Sequence, residues 1–328
     1  MIKRSLRTFA TALIICVTLN GCSAFWGESD QLHELSMMVP NTPGGGYDIA
    51  ARTVTNIMEK TGTTGHIDVF NVVGDDETIA MERLLKESGN ANLMMMMGLG
   101  MVGACYGSVS NCRPSDATAL ALLTEEPEVV VVPADSPYKS IADLISAWKA
   151  DPVSLKVGGG SSRGGPNYLF PMELAHIIGI ATSTVKYVPF AGDGQMLPAL
   201  LNHRIAFGAT GFAEYRDQIT AGQLRVLAVS AKDRTGETLA PTLKEAGIDL
   251  VFMNWHGVLA PPGISAEDRA RLIDILTKLH QSQQWKQALV DNEWTDVFIT
   301  GDAFAQFLKQ QERLEAATMK QLGFPAKA

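Results

Sequence analysis

Residues 35–58, LSMMVPNTPGGGYDIAARTVTNIM, decide the fold. A short apolar run over residues 35–39 gives way to a turn rich in proline and glycine. Behind the turn, Ile49, Ala50, Thr53, Val54, Ile57 and Met58 recur at helical spacing. Further along, residues 67–73 are rich in β-branched side chains, and residues 91–97 end in four methionines that read as a buried strand. The order is β-α-β-α-β, which predicts parallel strands joined by crossover helices. Met94 to Met97 are expected to fill core, because Met is flexible and polarizable and successive strand residues point to opposite faces.

The same alternation returns after the valine run of residues 129–133. Helices are predicted over residues 141–149, 167–178 and near 196–201, and strands over 155–157, 185–188, 205–208 and 224–230. Residues 250–259 read as extended. Pro261-Pro262-Gly263 then punctuates the chain before two amphipathic helices, one carrying Leu272, Ile273, Leu276 and Leu279, the other Phe304, Phe307, Leu308 and Leu314. Two α/β lobes with a C-terminal helical return follow, without solenoid repeats or low-complexity tracts.

One local design appears three times. Pro40-Asn41-Thr42-Pro43-Gly44-Gly45-Gly46-Tyr47-Asp48 follows the first strand. Gly158-Gly159-Gly160-Ser161-Ser162-Arg163-Gly164-Gly165 follows the strand at Leu155, and Gly192-Asp193-Gly194 follows the one ending near Phe190. Unpaired N–H groups in a helix's first turn carry partial positive charge, and glycine leaves no Cβ between them and a ligand. Loops at the carboxyl ends of parallel strands converge on a crevice, so the three are expected to hold a small anion from both sides of a cleft. Asp48 is expected to cap its own helix instead of meeting an anion, and Arg52 to be structural. Arg163, the cation inside these loops, either pairs with a carboxylate or lies exposed. Tyr47, Ser161 and Ser162 offer hydroxyl donors.

With 27 Lys plus Arg against 35 Asp plus Glu, the formal charge is −8, and no basic face stands out to neutralise a phosphate backbone. A nucleic-acid partner is not expected. The N-terminus, MIKRSLRTFATALIICVTLNGC, places Lys3, Arg4 and Arg7 before an apolar run too short for the roughly 20 residues of a spanning helix. Residues 1–21 therefore read as a secretory signal, whose removal takes three basic residues and leaves a charge of −11. Leu19-Asn20-Gly21-Cys22 resembles the lipobox of bacterial lipoproteins, which implies lipid on Cys22 and residues 22–34 as tether.

Cys105 and Cys112, an exported pair in a Gly/Ser-containing loop, are expected to form a disulfide. The six histidines, His33, His66, His176, His203, His256 and His280, are scattered without metal-site spacing. No metal and no cofactor are called for, and neither a P-loop nor a dinucleotide fingerprint is matched.

Five segments together resemble the extracytoplasmic substrate-binding proteins of tripartite tricarboxylate transporters, the Bug family. They are VPNTPGGGYDIAAR (39–52), VGGGSSRGGPNYLFPMELAHIIG (157–179), VKYVPFAGDGQMLPALLNHRIAFGATG (185–211), LAPTLKEAGIDL (239–250) and WHGVLAPPG (255–263). The resemblance implies a type II periplasmic-binding-protein fold: α/β, two lobes, each a mostly parallel sheet flanked by helices, with the chain crossing twice. Lobe 1 would comprise residues 35–133 and 251–328, and lobe 2 residues 134–250. It also implies a monomeric, non-enzymatic receptor that closes on a small carboxylate and delivers it to integral membrane permease subunits, touching the membrane through its lipid alone. The implied ligand loops fall on Thr42, Pro43, Gly44, Gly45, Gly46, Tyr47 and Asp48; on Ser161, Ser162, Arg163, Gly164 and Gly165; and on Phe190, Gly192, Asp193 and Gly194. Gly98 and Thr210 follow strands that edge the cleft. The chain departs from the family's pattern at Tyr47, where Thr or Ser is common, at Gly74-Asp75-Asp76-Glu77, and over Cys105 to Cys112.

Two other functions fit parts of the sequence. A receptor presenting ligand to a membrane sensor shares every feature above. A serine hydrolase draws on Gly160-Ser161-Ser162-Arg163-Gly164, which matches G-x-S-x-G between a strand and a helix, with His203, His256 and His280 downstream; it leaves the other two glycine loops unexplained.

Overall fold

The computed structural model describes residues 35–74, 77–107, 112–161, 163–234 and 240–323. The expected signal, Cys22 and the tether lie outside these residues, as does Ser162.

The opening unit runs β1 (Leu35–Val39), α1 (Gly46–Lys60), β2 (Ile67–Asn71), α2 (Thr78–Lys86) and β3 (Leu93–Gly98). β1 pairs in parallel with both β2 and β3, as the alternation predicts. The methionines of β3 are wholly buried and divide by parity. Met94 and Met96 join a core with α1 residues such as Val54 and Met58, while Met95 and Met97 enter the larger core on the opposite face.

α3 (Leu99–Gly107) starts directly after β3 and was not foreseen. Its sequence, LGMVGACYG, is apolar nearly all round and buried through Cys105, so no amphipathic stripe marks it. Cys105 and Cys112 are joined by a disulfide, with Cα atoms 5.3 Å apart.

β4 (Thr118–Pro133) is the spine of the molecule. The sequence suggested only its valine end, because Glu125, Glu126, Pro127 and Glu128 look like a polar break. Up to Pro127 the strand pairs antiparallel with β9 (Met253–Ala260), and β10 (Thr295–Thr300) pairs antiparallel with its residues 121–125. From Glu128 onward its partners are β7 (Phe207–Gly211) and β8 (Leu224–Val229), also antiparallel. β5 (Lys156–Gly159) lies parallel to β7 and to β6 (Lys186–Pro189). Parallel trios thus form the outer part of each half-sheet, and antiparallel strands form the join. The partner change after Pro127 falls earlier than the lobe boundary expected after residue 133.

Ser230, fully buried, pins the join. Its hydroxyl accepts from Glu128 N at 2.8 Å and donates to Phe252 O at 2.6 Å. Its backbone pairs with the same two residues, Ser230 N to Glu128 O at 2.9 Å and Phe252 N to Ser230 O at 3.0 Å. The outgoing and returning strands are therefore fixed at one residue.

The remaining helices are α4 (Ile141–Ala150), α5 (Pro166–Ile177), α6 (Asp193–Leu201), α7 (Phe212–Thr220), α8 (Ala266–Gln281), α9 (Gln283–Asp291) and α10 (Gly301–Gln321). α8 and α9 cover the β1–β3 sheet with Leu272, Leu276, Leu279 and Trp285, and α10 buries Phe304 and Leu308 on the other face. In the second half Val129 and Val131 pack on Met196 and Phe212, while Val130 and Val132 face Phe170 and Phe207. No helix among the described residues is long and apolar enough to cross a membrane.

Candidate functional site

Four helices begin on glycine at the junction of the two half-sheets. Their N-caps are Gly45 (α1), Gly165 (α5), Gly192 (α6) and Gly211 (α7), and none has a side-chain capping hydrogen bond. Each helix puts a first-turn residue into the lining of one cavity: Gly46 and Tyr47, Pro166 and Asn167, Asp193, and Glu214. Asn41, Glu77, Gly160, Ser161, Asn254 and His256 complete the wall. The free space is about 30 Å³, close to one water's share of liquid volume. A solute of several heavy atoms needs the walls to part.

The loops meet across the junction. The Thr42 hydroxyl donates to Ala191 O, and a Cβ on Gly192, at φ +113°, would stand 2.5 Å from Thr42 Oγ1. Gly164, at φ +90°, packs on Gly103 of α3 so tightly that a Cβ on it would lie 2.8 Å from the Gly103 backbone. Two α-carbons without side chains are required for that approach.

Of the residues singled out by sequence, Gly46, Tyr47, Ser161 and Asp193 line the cavity. Thr210 stands behind it, donating to Asp193 Oδ1 at 2.8 Å. A Cβ on Gly98 would meet Tyr47 Cε1 at 2.9 Å and His256 Cδ2 at 3.4 Å. Thr42, Pro43, Gly44, Gly45, Gly164, Gly165 and Gly192 build the loops without reaching the wall, and Phe190 packs into the second half's core. Gly194 and Arg163 are exposed.

Asp48 does not take a cap position on α1; from its first turn it reaches back to accept Gly44 N at 2.9 Å. Arg52 Nε at 3.0 Å and Asn71 Nδ2 at 3.0 Å bind the same carboxylate, so Arg52 is structural as expected. Burial alone would raise the Asp48 pKa, but these hydrogen bonds outweigh it and hold the group below the ordinary value. Ser161 Oγ accepts Asn167 N at 3.0 Å, which makes it a cap-like contact to α5 and ties it to no histidine.

The floor is acidic, which the sequence did not foretell. Glu126 and Glu128 lie on β4 at the partner change, Asp193 opens α6 and Glu214 lies in the first turn of α7. Glu126 accepts from Asn254 Nδ2 at 3.2 Å and Trp294 Nε1 at 3.0 Å, and Glu128 accepts from Asn167 Nδ2 at 2.9 Å. A Cβ on Gly211 would sit 2.5 Å from Glu214 Oε2 and 3.0 Å from Glu126 Oε2, so those two carboxylates converge on one backbone atom. Burial pushes Glu126 up to about 7 and Asp193 up to about 6. Burial, then the neighbouring carboxylates, raises Glu128 and Glu214 well above the ordinary carboxylate range.

His256 on β9 is buried beside them, its Nδ1 3.7 Å from Glu126 Oε1, and burial lowers it to about 4, so it is neutral near pH 7. Tyr47 meets the His256 ring edge-on at 5.5 Å, and its hydroxyl accepts Met101 N at 3.0 Å, from the start of α3. The one trace of this floor in the sequence is three glutamates about one proline between two apolar runs, a pattern that breaks strand alternation instead of announcing a strand. A larger depression of about 760 Å³ lies between α4, α7 and β8, away from every glycine loop.

A sequence model described as the tripartite tricarboxylate transporter family receptor matches residues 49–324. The chain belongs to this receptor family. Among its relatives, a UPF0065 protein encoded in the gbd 5' region of Cupriavidus necator is 26% identical over 294 residues, spanning 88% of this chain and 87% of the relative. The receptor is also similar to the periplasmic binding protein BugD, with a TM-score of 0.82 at 20% identity, over 90% of this chain and 99% of BugD. MatC from Rhodopseudomonas palustris, solved with bound malate, gives a TM-score of 0.77 at 22% identity, over 87% and 98%. These likenesses establish the fold as that of the two-lobed periplasmic binding proteins.

Proposed function

We propose that this receptor captures a small organic acid between its lobes outside the cytoplasmic membrane and hands it to the integral membrane subunits of a tripartite transporter. The observation that carries this is the meeting of four glycine-initiated helix N-termini on one cavity, where backbone N–H groups and helix dipoles attract a carboxylate. α5 alone of the four has no acidic residue in its first turn, so its dipole is the one that no carboxylate of the chain opposes. Gly44 to Tyr47, Ser161, Arg163 to Gly165, and Gly192 to Gly194 form the enclosing loops. Malate bound to MatC supports the ligand class.

The lobes divide where β4 changes partners after Pro127 and again before β9, and they open to admit solute. Ligand then biases the open-to-closed equilibrium by its differential affinity. A lipid on Cys22, with residues 22–34 as tether, holds the monomeric receptor near its permease. Thermal-shift assays with malate, adipate, citrate and amino acids test the proposal, since a ligand of the folded state raises Tm by mass action. A flat response to every small carboxylate overturns it. Uptake of the active ligand in a deletion strain separates transport from sensing: uptake falls if the receptor feeds a permease, and persists with induction lost if it feeds a sensor.

A further inference from the structure

We infer that the solute carries a protonated amine, seated beside Asp193 and Glu214 on the cavity wall. This rests on the reading of the cavity as the solute site and adds the second half of its chemistry. The cavity wall presents acceptors where a site for di- or tricarboxylates would present donors. Within the described residues, Asn41 Oδ1 and Glu214 Oε2 on the wall, and Glu128 Oε1 directly behind it, receive no hydrogen bond. His256 Nδ1 makes none either. Glu128 is 0% and His256 1% exposed, so bulk water does not answer for them. Buried acceptors left alone are costly, and an ammonium brings three donors.

The charge points the same way. Among the described residues, no lysine or arginine pairs with Glu126, Glu128, Asp193 or Glu214; the one ion-pair contact is His256 with Glu126, and that imidazole is neutral near pH 7. Three of the four cleft helices already hold a carboxylate of the chain itself in the first turn: Asp48 on α1, Asp193 on α6 and Glu214 on α7. A ligand carboxylate approaching α6 meets like charge in a dry site, because Asp193, at about 6, is ionised near pH 7. A metal ion does not fit the pattern, because no three His, Cys, Asp or Glu side chains among the described residues are placed to hold one. An organic ammonium matches both the spread of acceptors and the sign of the field.

The source of the amine is settled by the arms of the test. The purified chain is titrated by calorimetry and thermal shift with β-alanine and γ-aminobutyrate (amine plus carboxylate), putrescine and ethanolamine (amine alone), and malate, adipate and citrate (carboxylate alone). At least one amine-bearing probe is expected to bind, its N-acetylated counterpart to lose at least tenfold in affinity, and Glu214→Gln to weaken the parent amine by a similar factor. Binding in the first arm alone assigns an amino-acid-like solute, and binding in the second alone assigns a simple amine and overturns the organic-acid reading while the amine assignment stands. If the carboxylates bind and no amine does, the amine assignment falls while the receptor reading stands. If nothing in the three arms binds, both fall. The N-acetyl comparison uses unaltered protein, so it decides the matter even where Glu214→Gln folds poorly.

Discussion

Four helices at the cleft and three away from it begin in opposite ways. α4, α8 and α9 start on Ser140, Ser265 and Ser282, whose hydroxyls accept the N–H of Asp143, Asp268 and Trp285; around α4 the pairing is reciprocal, with Asp143 accepting Ser140 N–H. α1, α5, α6 and α7 start on glycine with no side-chain cap. Glycine at the N-cap gives up only a few tenths of a kcal/mol against serine, so these four ends forgo little stability while all four reach one cavity. At these ends the N-cap itself carries no side chain into the site, and the contacts come from elsewhere: Ser161 accepts Asn167 N–H at α5, and α1, α6 and α7 each hold a carboxylate in the first turn.

The largest expected effect comes from breaking the closest approach at the cleft. Gly164→Ala adds a Cβ 2.8 Å from the Gly103 backbone at φ +90°, a combination of overlap and left-handed strain on the order of 3 kcal/mol against the closed form. Ligand affinity is expected to fall about a hundredfold, with a smaller change in the Tm of the free protein, because opening relieves the overlap. Calorimetric titration paired with a thermal scan checks this; equal affinity for wild type and variant would remove the Gly103–Gly164 contact from the closing surface.

Next is the acidic floor. A carboxyl whose folded pKa is raised is stabilising while protonated and loses that advantage as pH climbs through the folded value. Glu126 at about 7, and Glu128 and Glu214 well above their ordinary values, therefore erode stability as pH rises from about 6.5 to 8. Glu173, raised by burial to about 7, and Glu315, raised by burial to about 8, act in the same direction. His256, lowered to about 4, loses its contribution only as pH falls below the ordinary histidine value, so it does not oppose them in this window. The Tm of the free protein should fall by several degrees between pH 6.5 and 8, at most about 1.4 kcal/mol per pH unit for each proton released. Glu214→Gln should flatten the slope and raise Tm at pH 8; an unchanged slope would show Glu214 already ionised.

The glycine helix starts were legible in the sequence, and the floor was not, for a physical reason. A strand, a glycine turn and a helical stripe repeat in one dimension, so β1 to α1, β5 to α5 and β6 to α6 could be read from spacing. β4 could not, since Glu125 to Glu128 obey no two-residue alternation; they are polar because the strand crosses the cleft there, which only pairing with β9 on one side and β7 on the other reveals. α3 was hidden by being buried all round, and Ser230 by being one serine among many. His256 was noticed among scattered histidines, but Gly98 and Thr124 opposite it in the sheet bring it to the site, and register is not written in composition.

A third effect is smaller and lies away from the cavity. Replacing Cys105 and Cys112 by serine removes a cross-link closing a short loop at the end of α3, which should cost about 2 kcal/mol, the low end for a disulfide. The double variant is expected to show a lower denaturation midpoint and near-normal ligand affinity. A large loss of affinity instead would make the disulfide a support of the α3 start, where Met101 N–H meets Tyr47.

The smallest effect returns to the helix ends. Ser140→Ala deletes the hydroxyl that accepts Asp143 N–H at 3.2 Å and leaves Asp143 as a one-sided partner for the Ser140 and Lys139 N–H groups. About 1 kcal/mol of stability should go, read as a shift in the denaturant midpoint at unchanged slope, with ligand affinity untouched because α4 contributes nothing to the cavity lining. The contrast between the two kinds of helix start turns on that separation: caps at the periphery set stability alone, whereas glycine starts at the cleft set affinity. If Ser140→Ala weakened binding as much as it weakened folding, the separation would fail, and the missing caps at the cleft would signify only loops too tight for a side chain.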